Sequence, residues 1–105
     1  MSVGIPSGNI IAMGVFQISI DIANTPTITT AETDVTVPGL KVGDVVFVNK
    51  PSHSTGLGIA NARVKAADTL SIQTVNPTAG AVNPAAETFT VFWARPETLV
   101  TGITQ

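Results

Sequence analysis

Residues 16–22 read FQISIDI, and this stretch decides the fold class. Its apolar residues Phe16, Ile18, Ile20 and Ile22 alternate one by one with polar residues, which is typical of a β-strand with one buried face. Val, Ile and Thr together make up 38 of the 105 residues, and β-branched side chains suit a strand better than a helix. The chain is therefore predicted to be all-β.

Further segments have strand character: residues 28–37, 44–49, 59–66, 70–74 and 88–94. The composition of residues 59–66 also allows a short helix, but apolar and polar residues alternate there, which favours a strand. Residues 44–49, DVVFVN, form a continuous apolar run and predict a strand covered on both faces, either central in a sheet or against a neighbouring subunit.

Turn residues separate these segments. Pro38-Gly39 predicts a type II turn in which Gly39 has a positive φ, and Asp68-Thr69 predicts a hairpin turn. Six or seven short strands joined in this way predict a small β-sandwich or barrel of the jelly-roll or Greek-key type. We expect an extended N-terminal arm over residues 1–9, a single β-domain over residues 10–97 and a C-terminal tail over residues 98–105.

Residues 76–89 read NPTAGAVNPAAETF and repeat an Asn-Pro pair. Asn76 and Asn83 are not glycosylation sequons, because proline follows each of them. Each proline fixes its own φ and pushes the asparagine before it into an extended conformation. A connection of about a dozen residues is longer than a hairpin needs. The stretch is therefore predicted to be a shaped crossover from one sheet to the other.

Composition excludes several classes of function. Charged residues make up 11% of the chain, against about 25% in a typical soluble domain, and the basic residues are scattered, which argues against direct nucleic-acid binding. The absence of cysteine excludes disulfides and thiolate chemistry. The first residues lack the basic region of a signal peptide and do not form a membrane span. A surface so poor in charge fits a subunit that partners largely cover.

No catalytic, cofactor-binding or metal-binding residue is predicted. His53 is the only histidine and lies in the segment 51–55, PSHST. With the serines beside it and Asp44 it supplies the residue types of a Ser-His-Asp triad, but only the geometry of the three side chains defines such a triad, not their closeness in sequence. We interpret this segment as a polar loop tip. Glu32 and Asp34 would share one strand face, which leaves a weak calcium site as an alternative.

Phe92 and Trp93 are neighbours on a predicted strand, so their side chains point to opposite faces. If Trp93 faces the core with Phe89 and Val91, Phe92 points outward. Phe92 is then a candidate for a subunit contact, or it lies under a loop of its own chain. Either aromatic ring is also a candidate platform for stacking on a sugar, which keeps a carbohydrate-binding module among the alternatives.

Three segments carry a resemblance to a known group: GLKVGDVVFVN at 39–49, GLGIANARVKAADTLSI at 56–72 and NPTAGAVNPAAETFTVF at 76–92. Together they resemble a β-module of structural proteins of tailed bacteriophages. Among these, a short chain with an N-terminal arm looks most like a capsid decoration, or cement, protein. The resemblance implies a β-rich homotrimer that binds the outside of the head and bridges major capsid subunits, with no enzymatic activity. A head fibre base or a tail module is the alternative within the group.

This reading implies where the protein lies and what it binds. We expect synthesis in the host cytoplasm without a signal peptide, followed by attachment to the outer capsid surface. The expected partners are the major capsid protein and further copies of the chain, with no cofactor, nucleic acid or membrane. The residues predicted to contact partners come from the arm, the outward aromatic position and the crossover: Val3, Ile5, Pro6, Ile10, Phe92, Pro77 and Pro84.

Overall fold

The computed structural model describes residues 9–97, which form six strands and no helix. The strands are β1 (Ile10–Ile20), β2 (Thr29–Thr36), β3 (Val45–Asn49), β4 (Gly58–Ala66), β5 (Thr69–Asn76) and β6 (Glu87–Pro96). The all-β prediction is confirmed, and residues 59–66 form a strand rather than a helix. The predicted arm, apart from Asn9, and the predicted tail lie outside the described residues.

The strands form two antiparallel three-stranded sheets, in the orders β1-β6-β3 and β2-β5-β4. Within the described chain, every connection except the β4–β5 hairpin changes sheet. The connection from β5 to β6 therefore crosses between sheets, as residues 76–89 predict. The crossover is anchored midway, where Thr25 and Val82 exchange two backbone hydrogen bonds of 2.8 and 3.0 Å.

The core lies between the inner faces of the two sheets. Alternate residues of each strand point inward, and the fully buried apolar side chains are Ile20, Ile22, Leu70, Ile72, Phe89 and Val91. The period of two in residues 16–22 thus selects the buried face correctly. Burial of these side chains from both sheets supplies the main stabilisation of the domain.

Two turns pack together at one end of the domain. Gly39 has a φ of 99° and Asp68, in the hairpin between β4 and β5, has a φ of 62°, so the predicted positive φ at Gly39 is confirmed. The Asp68 carboxylate accepts a hydrogen bond of 2.8 Å from the backbone N–H of Gly39. The backbone of Asp68 also bonds to Val37 and Leu40. These bonds fix the position of residues 37–40 at this end of the domain.

The structure corrects two expectations from the sequence. β3 is an edge strand of its sheet rather than a central one, and in this chain it is covered on one face only: Val46 is buried, whereas Val45 and Phe47 are 45% and 64% exposed. β1 begins at Ile10, six residues before the alternation in FQISIDI starts. Both corrections concern apolar residues that the core of this chain does not cover.

Candidate interaction surface

The outer face of the β1-β6-β3 sheet is apolar and exposed. Ile11, Met13 and Val15 in β1 are 62%, 51% and 66% exposed. The surface continues from β1 across β6 to β3, because Val15 pairs with Phe92 and Phe92 pairs with Phe47. A second row joins Met13 through β6 to Val45. We call this surface the apolar face; it comprises Ile11, Met13, Val15, Val45, Phe47 and Phe92.

The two phenylalanines form the centre of the apolar face. The rings of Phe47 and Phe92 are stacked, with their centroids 6.1 Å apart and an interplanar angle of 29°. Phe92 is half-buried under this contact, whereas Phe47 remains largely exposed. Phe92 points outward, as we expected for the case that Trp93 faces the core, and its ring stacks on a residue of β3. Its role in a subunit contact stays a prediction.

The outer face of the other sheet has the opposite character. Glu32 accepts hydrogen bonds of 3.1 to 3.2 Å from the Arg63 guanidinium, and Asp34 lies 3.0 Å from the Lys65 ammonium. The hydrogen bonds from Lys65 and from Ser71 lower the pKa of Asp34. Both carboxylates are thus paired with basic side chains, and among residues 9–97 no third acidic, histidine or cysteine side chain joins them, so the geometry gives the calcium alternative no support. Of the two outer faces, only one is charged.

A cavity of about 370 Å³ lies on the inner side of β1, between that strand, β6 and the turn after β2. We call it the Trp93 cleft; its lining includes Phe16, Val37, Leu40, Trp93 and Arg95. Trp93 points to the core side, as predicted, but it is only half-buried because it borders this cleft.

The Arg95 side chain in the wall of the cleft is paired with Asp44. It donates two hydrogen bonds of 2.8 Å to the buried Asp44 carboxylate and one of 2.8 Å to the backbone carbonyl of Gly39. It also lies over the Trp93 ring, 5.2 Å from the centroid. The hydrogen bonds from Arg95 lower the pKa of Asp44, although burial acts in the opposite direction. The cleft therefore has an apolar lining and no unneutralised charge.

The residue types of a triad are divided between two places. Asp44 binds Arg95 at the start of β3, whereas His53 lies in the loop beyond the other end of that strand. The hydroxyls of Ser52 and Ser54 accept hydrogen bonds from Lys50 instead.

The ammonium of Lys50 is held by an acid. It lies 2.6 Å from Oε1 of Glu87, whose Oε2 accepts a hydrogen bond of 2.7 Å from Ser52. The bonds from Lys50 and Ser52 lower the pKa of Glu87. Lys50, Ser52, Ser54 and Glu87 thus form one hydrogen-bonded cluster that joins the loop after β3 to the start of β6.

The crossover carries two of the predicted contact residues, but its shape comes from Asn76. That side chain is completely buried and makes four hydrogen bonds. Pro77 is exposed and Pro84 is half-buried, whereas Ile10 is half-buried at the start of β1, where it pairs with Pro96. The structure thus places Ile10 near the apolar face and the two prolines in a different region. Val3, Ile5 and Pro6 lie outside the described residues.

Sequence reasoning missed most of the apolar face. Only Phe92 was singled out, although residues 10–16, IIAMGVF, are apolar at both odd and even positions. In a strand, such a run places apolar side chains on both faces. That signal was available for Ile11, Met13 and Val15, and the run VVFV in β3 carries the same signal for Phe47.

No protein family, curated protein or solved structure matches this chain. Within residues 9–97, no helix is long and apolar enough to cross a membrane. The features that bear on function are the outer faces of the two sheets and the Trp93 cleft.

Proposed function

We propose that this protein is a structural binding module whose apolar face packs against other protein subunits. Following the sequence resemblance, we propose as its setting the outside of a tailed-bacteriophage head, where a homotrimer would bridge major capsid subunits as a decoration protein. The extended arm over residues 1–9 and a jelly-roll or Greek-key arrangement of the strands belong to the same proposal. The observation that carries it is the apolar face on a chain with few charges.

The size of the apolar face suits assembly through several weak contacts. Complete burial of a large apolar side chain is worth about 1.5 to 3 kcal/mol. Five side chains of the face are between 45% and 66% exposed, so their burial would contribute about 5 kcal/mol in all. Association costs at least about 4 kcal/mol in lost freedom. One such contact is weak, and several linked contacts add avidity. An oligomer that attaches at several points would therefore bind more tightly than a single copy.

A matched pair of variants tests the proposal. Phe47→Ser removes the ring at the centre of the apolar face, and Arg63→Ser removes a side chain that is 52% exposed on the charged face of the other sheet. Light scattering should show a trimer that Phe47→Ser weakens and Arg63→Ser leaves intact. Sedimentation with virion shells that lack the protein should show the same order. A monomer that ignores such shells would disprove the proposal.

The other settings use the same surface and differ in location. Gold labelling of intact virions would place the protein on the head surface, at a fibre base or in the tail. The carbohydrate-binding alternative is less well supported by the geometry, because one ring face of Trp93 is covered by Arg95 and Phe92 is stacked on Phe47. Binding of a glycan on an array would revive that alternative.

A further inference from the structure

The free edge of β1 differs from the three other sheet edges in the described chain. β2 carries Glu32 and Asp34, and β4 carries Arg63 and Lys65 together with two irregularities of register. β3 is five residues long and contacts β4. Charges, irregularities, shortness and cover are the devices by which proteins prevent a sheet edge from pairing with another chain.

β1 has almost none of these devices. It is eleven residues long, IIAMGVFQISI, without a charge or a proline, and its one irregularity of register lies at its first residues, between Ile10 and Ala12. One side of β1 pairs with β6, and within residues 9–97 no strand pairs with the other side. An edge of this length and composition is suited to accept a further strand.

The Trp93 cleft lies beside this edge on the inner side of the sheet. Trp93 pairs with Gly14 of β1, and its indole lies over that glycine: a Cβ on Gly14 would be 3.1 Å from the indole Nε1. Because Gly14 has no side chain, the ring reaches from β6 across β1. A strand added to β1 would place an inward-pointing side chain in the cleft lined by Phe16, Leu40 and this ring.

The charges in this region specify the chemistry of the occupant. Arg95 is the charged group of the cleft wall, and its guanidinium is already paired with the Asp44 carboxylate through Nε and Nη2. A carboxylate on the incoming chain would have to compete with Asp44 for the charge of Arg95, and a buried charge without a partner of its own is costly. The apolar residues Met13 and Val15 line the outer side of the same edge. The occupant therefore has apolar or uncharged side chains on both faces.

We propose that β1 accepts an extended, uncharged segment of a shell subunit as an additional strand, with one apolar side chain of that segment entering the Trp93 cleft. Main-chain hydrogen bonds along β1 would supply affinity, and the cleft would supply selectivity. This inference rests on the proposed function, because it names how the module holds its partner. It assigns to the edge of β1 a role separate from that of the apolar face.

The test uses the isolated protein and Trp93 as the reporter, since it is the only tryptophan. The probes are end-capped nine-residue peptides with Val, Leu or Phe at odd positions and Thr at even positions, each carrying a short polyethylene glycol tail. Each is also made in two N-methylated forms, one methylated at odd and one at even positions. A strand directs the N–H groups of odd and even residues to opposite edges. We expect binding to shift Trp93 fluorescence, and one methylated form to bind at least tenfold more weakly than the other.

Two variants separate the edge from the apolar face. Val15→Lys and Phe47→Lys change residues in the same row, both paired with Phe92, which are 66% and 64% exposed. Both add one positive charge to the same sheet face, but only Val15 lies on the edge strand β1. Val15→Lys should weaken peptide binding at least tenfold and Phe47→Lys less than twofold, with both variants folded by circular dichroism.

Several results would overturn this inference. These are no fluorescence shift with any peptide, equal binding of the two methylated forms, or equal effects of the two lysine variants. A dimer of the isolated protein that Val15→Lys dissociates would show that the edge pairs with a second copy instead. Peptide binding that follows the expected pattern while shells are not bound would support this edge and disprove the proposed setting. Shell binding without the expected peptide pattern would support the proposed setting and overturn the role of the β1 edge.

Discussion

Asn76 is expected to determine the stability of the crossover between the sheets. Its side-chain amide donates to the backbone carbonyls of Thr25 and Gly80 at 3.0 and 2.8 Å. Its carbonyl oxygen accepts from the N–H and the hydroxyl of Thr78 at 2.9 and 2.6 Å. These four bonds use both donors and both lone pairs of the amide. Asn76→Ala would remove all of them from a completely buried position.

The expected cost follows from where the four partners lie. Thr25 is completely buried, and its carbonyl would lose the Asn76 bond but keep the one from the Val82 N–H, at about 1 kcal/mol. Gly80 is exposed and Thr78 is half-buried, so water can replace part of their bonds and they add about 1 kcal/mol together. We expect Asn76→Ala to lower the free energy of unfolding by about 2 kcal/mol, or the melting temperature by about 8 to 16 °C.

The repeated Asn-Pro pair supplies the control. Asn83 also precedes a proline, but its side chain is exposed, and Asn83→Ala should change the free energy of unfolding by less than about 0.5 kcal/mol. Urea titrations of both variants, with the same slope as the parent protein, would measure the difference. A cost for Asn76→Ala below about 1 kcal/mol, or equal to that of Asn83→Ala, would refute the assignment of the crossover's shape to this one side chain.

Three further changes have expected outcomes. Asp44→Asn should lower the free energy of unfolding by about 2 to 3 kcal/mol at pH 7. The pKa of Asp44 is lowered in the folded protein, so this stabilisation is present above the ordinary pKa of an aspartate and is lost as the pH falls through the folded value. Urea titrations should therefore show a smaller difference between this variant and the parent protein at pH 3. Replacing Pro77 and Pro84 by alanine should cost about 1 to 2 kcal/mol, and an unchanged calorimetric transition would contradict it. Arg63→Ala should lower the free energy of unfolding, measured by urea titration, by at most about 1 kcal/mol, because the ion pair of Arg63 with Glu32 is exposed.

The sequence predicted the strands well where one face is buried and the other is polar. In residues 16–22 and 70–74 the alternation identifies both the strand and its inner side, and the buried Ile20 and Ile72 agree with it. The turn at Gly39 and the crossover were predictable because glycine and proline restrict or release the backbone at defined positions. Burial of one strand face produces an alternation of apolar and polar residues in the sequence, and this alternation does not depend on how the rest of the domain packs.

The sequence did not predict which apolar residues stay exposed. Residues 10–15 and 45–48 are apolar at odd and even positions alike, so periodicity cannot separate an inner from an outer face. The strand prediction therefore began at Phe16, where the alternation begins, and residues 44–49 were expected to be covered on both sides. The bond from Asn76 to the carbonyl of Thr25 and the pairing of Asp44 with Arg95 join residues more than forty positions apart, which local patterns do not reveal.

Residues 10–15 and 45–48, where periodicity does not identify the inner face, lie on the two sides of one surface. β1 and β3 lie on either side of β6, and their outward residues Val15 and Phe47 both pair with Phe92. A strand that is apolar on both faces is typical of a strand buried on both faces, yet this chain covers only the inner one. Retaining apolar residues on the outer face costs solubility in a free monomer. The pattern is consistent with a chain whose second layer of packing is supplied by another protein, and the uncharged edge of β1 belongs to the same surface.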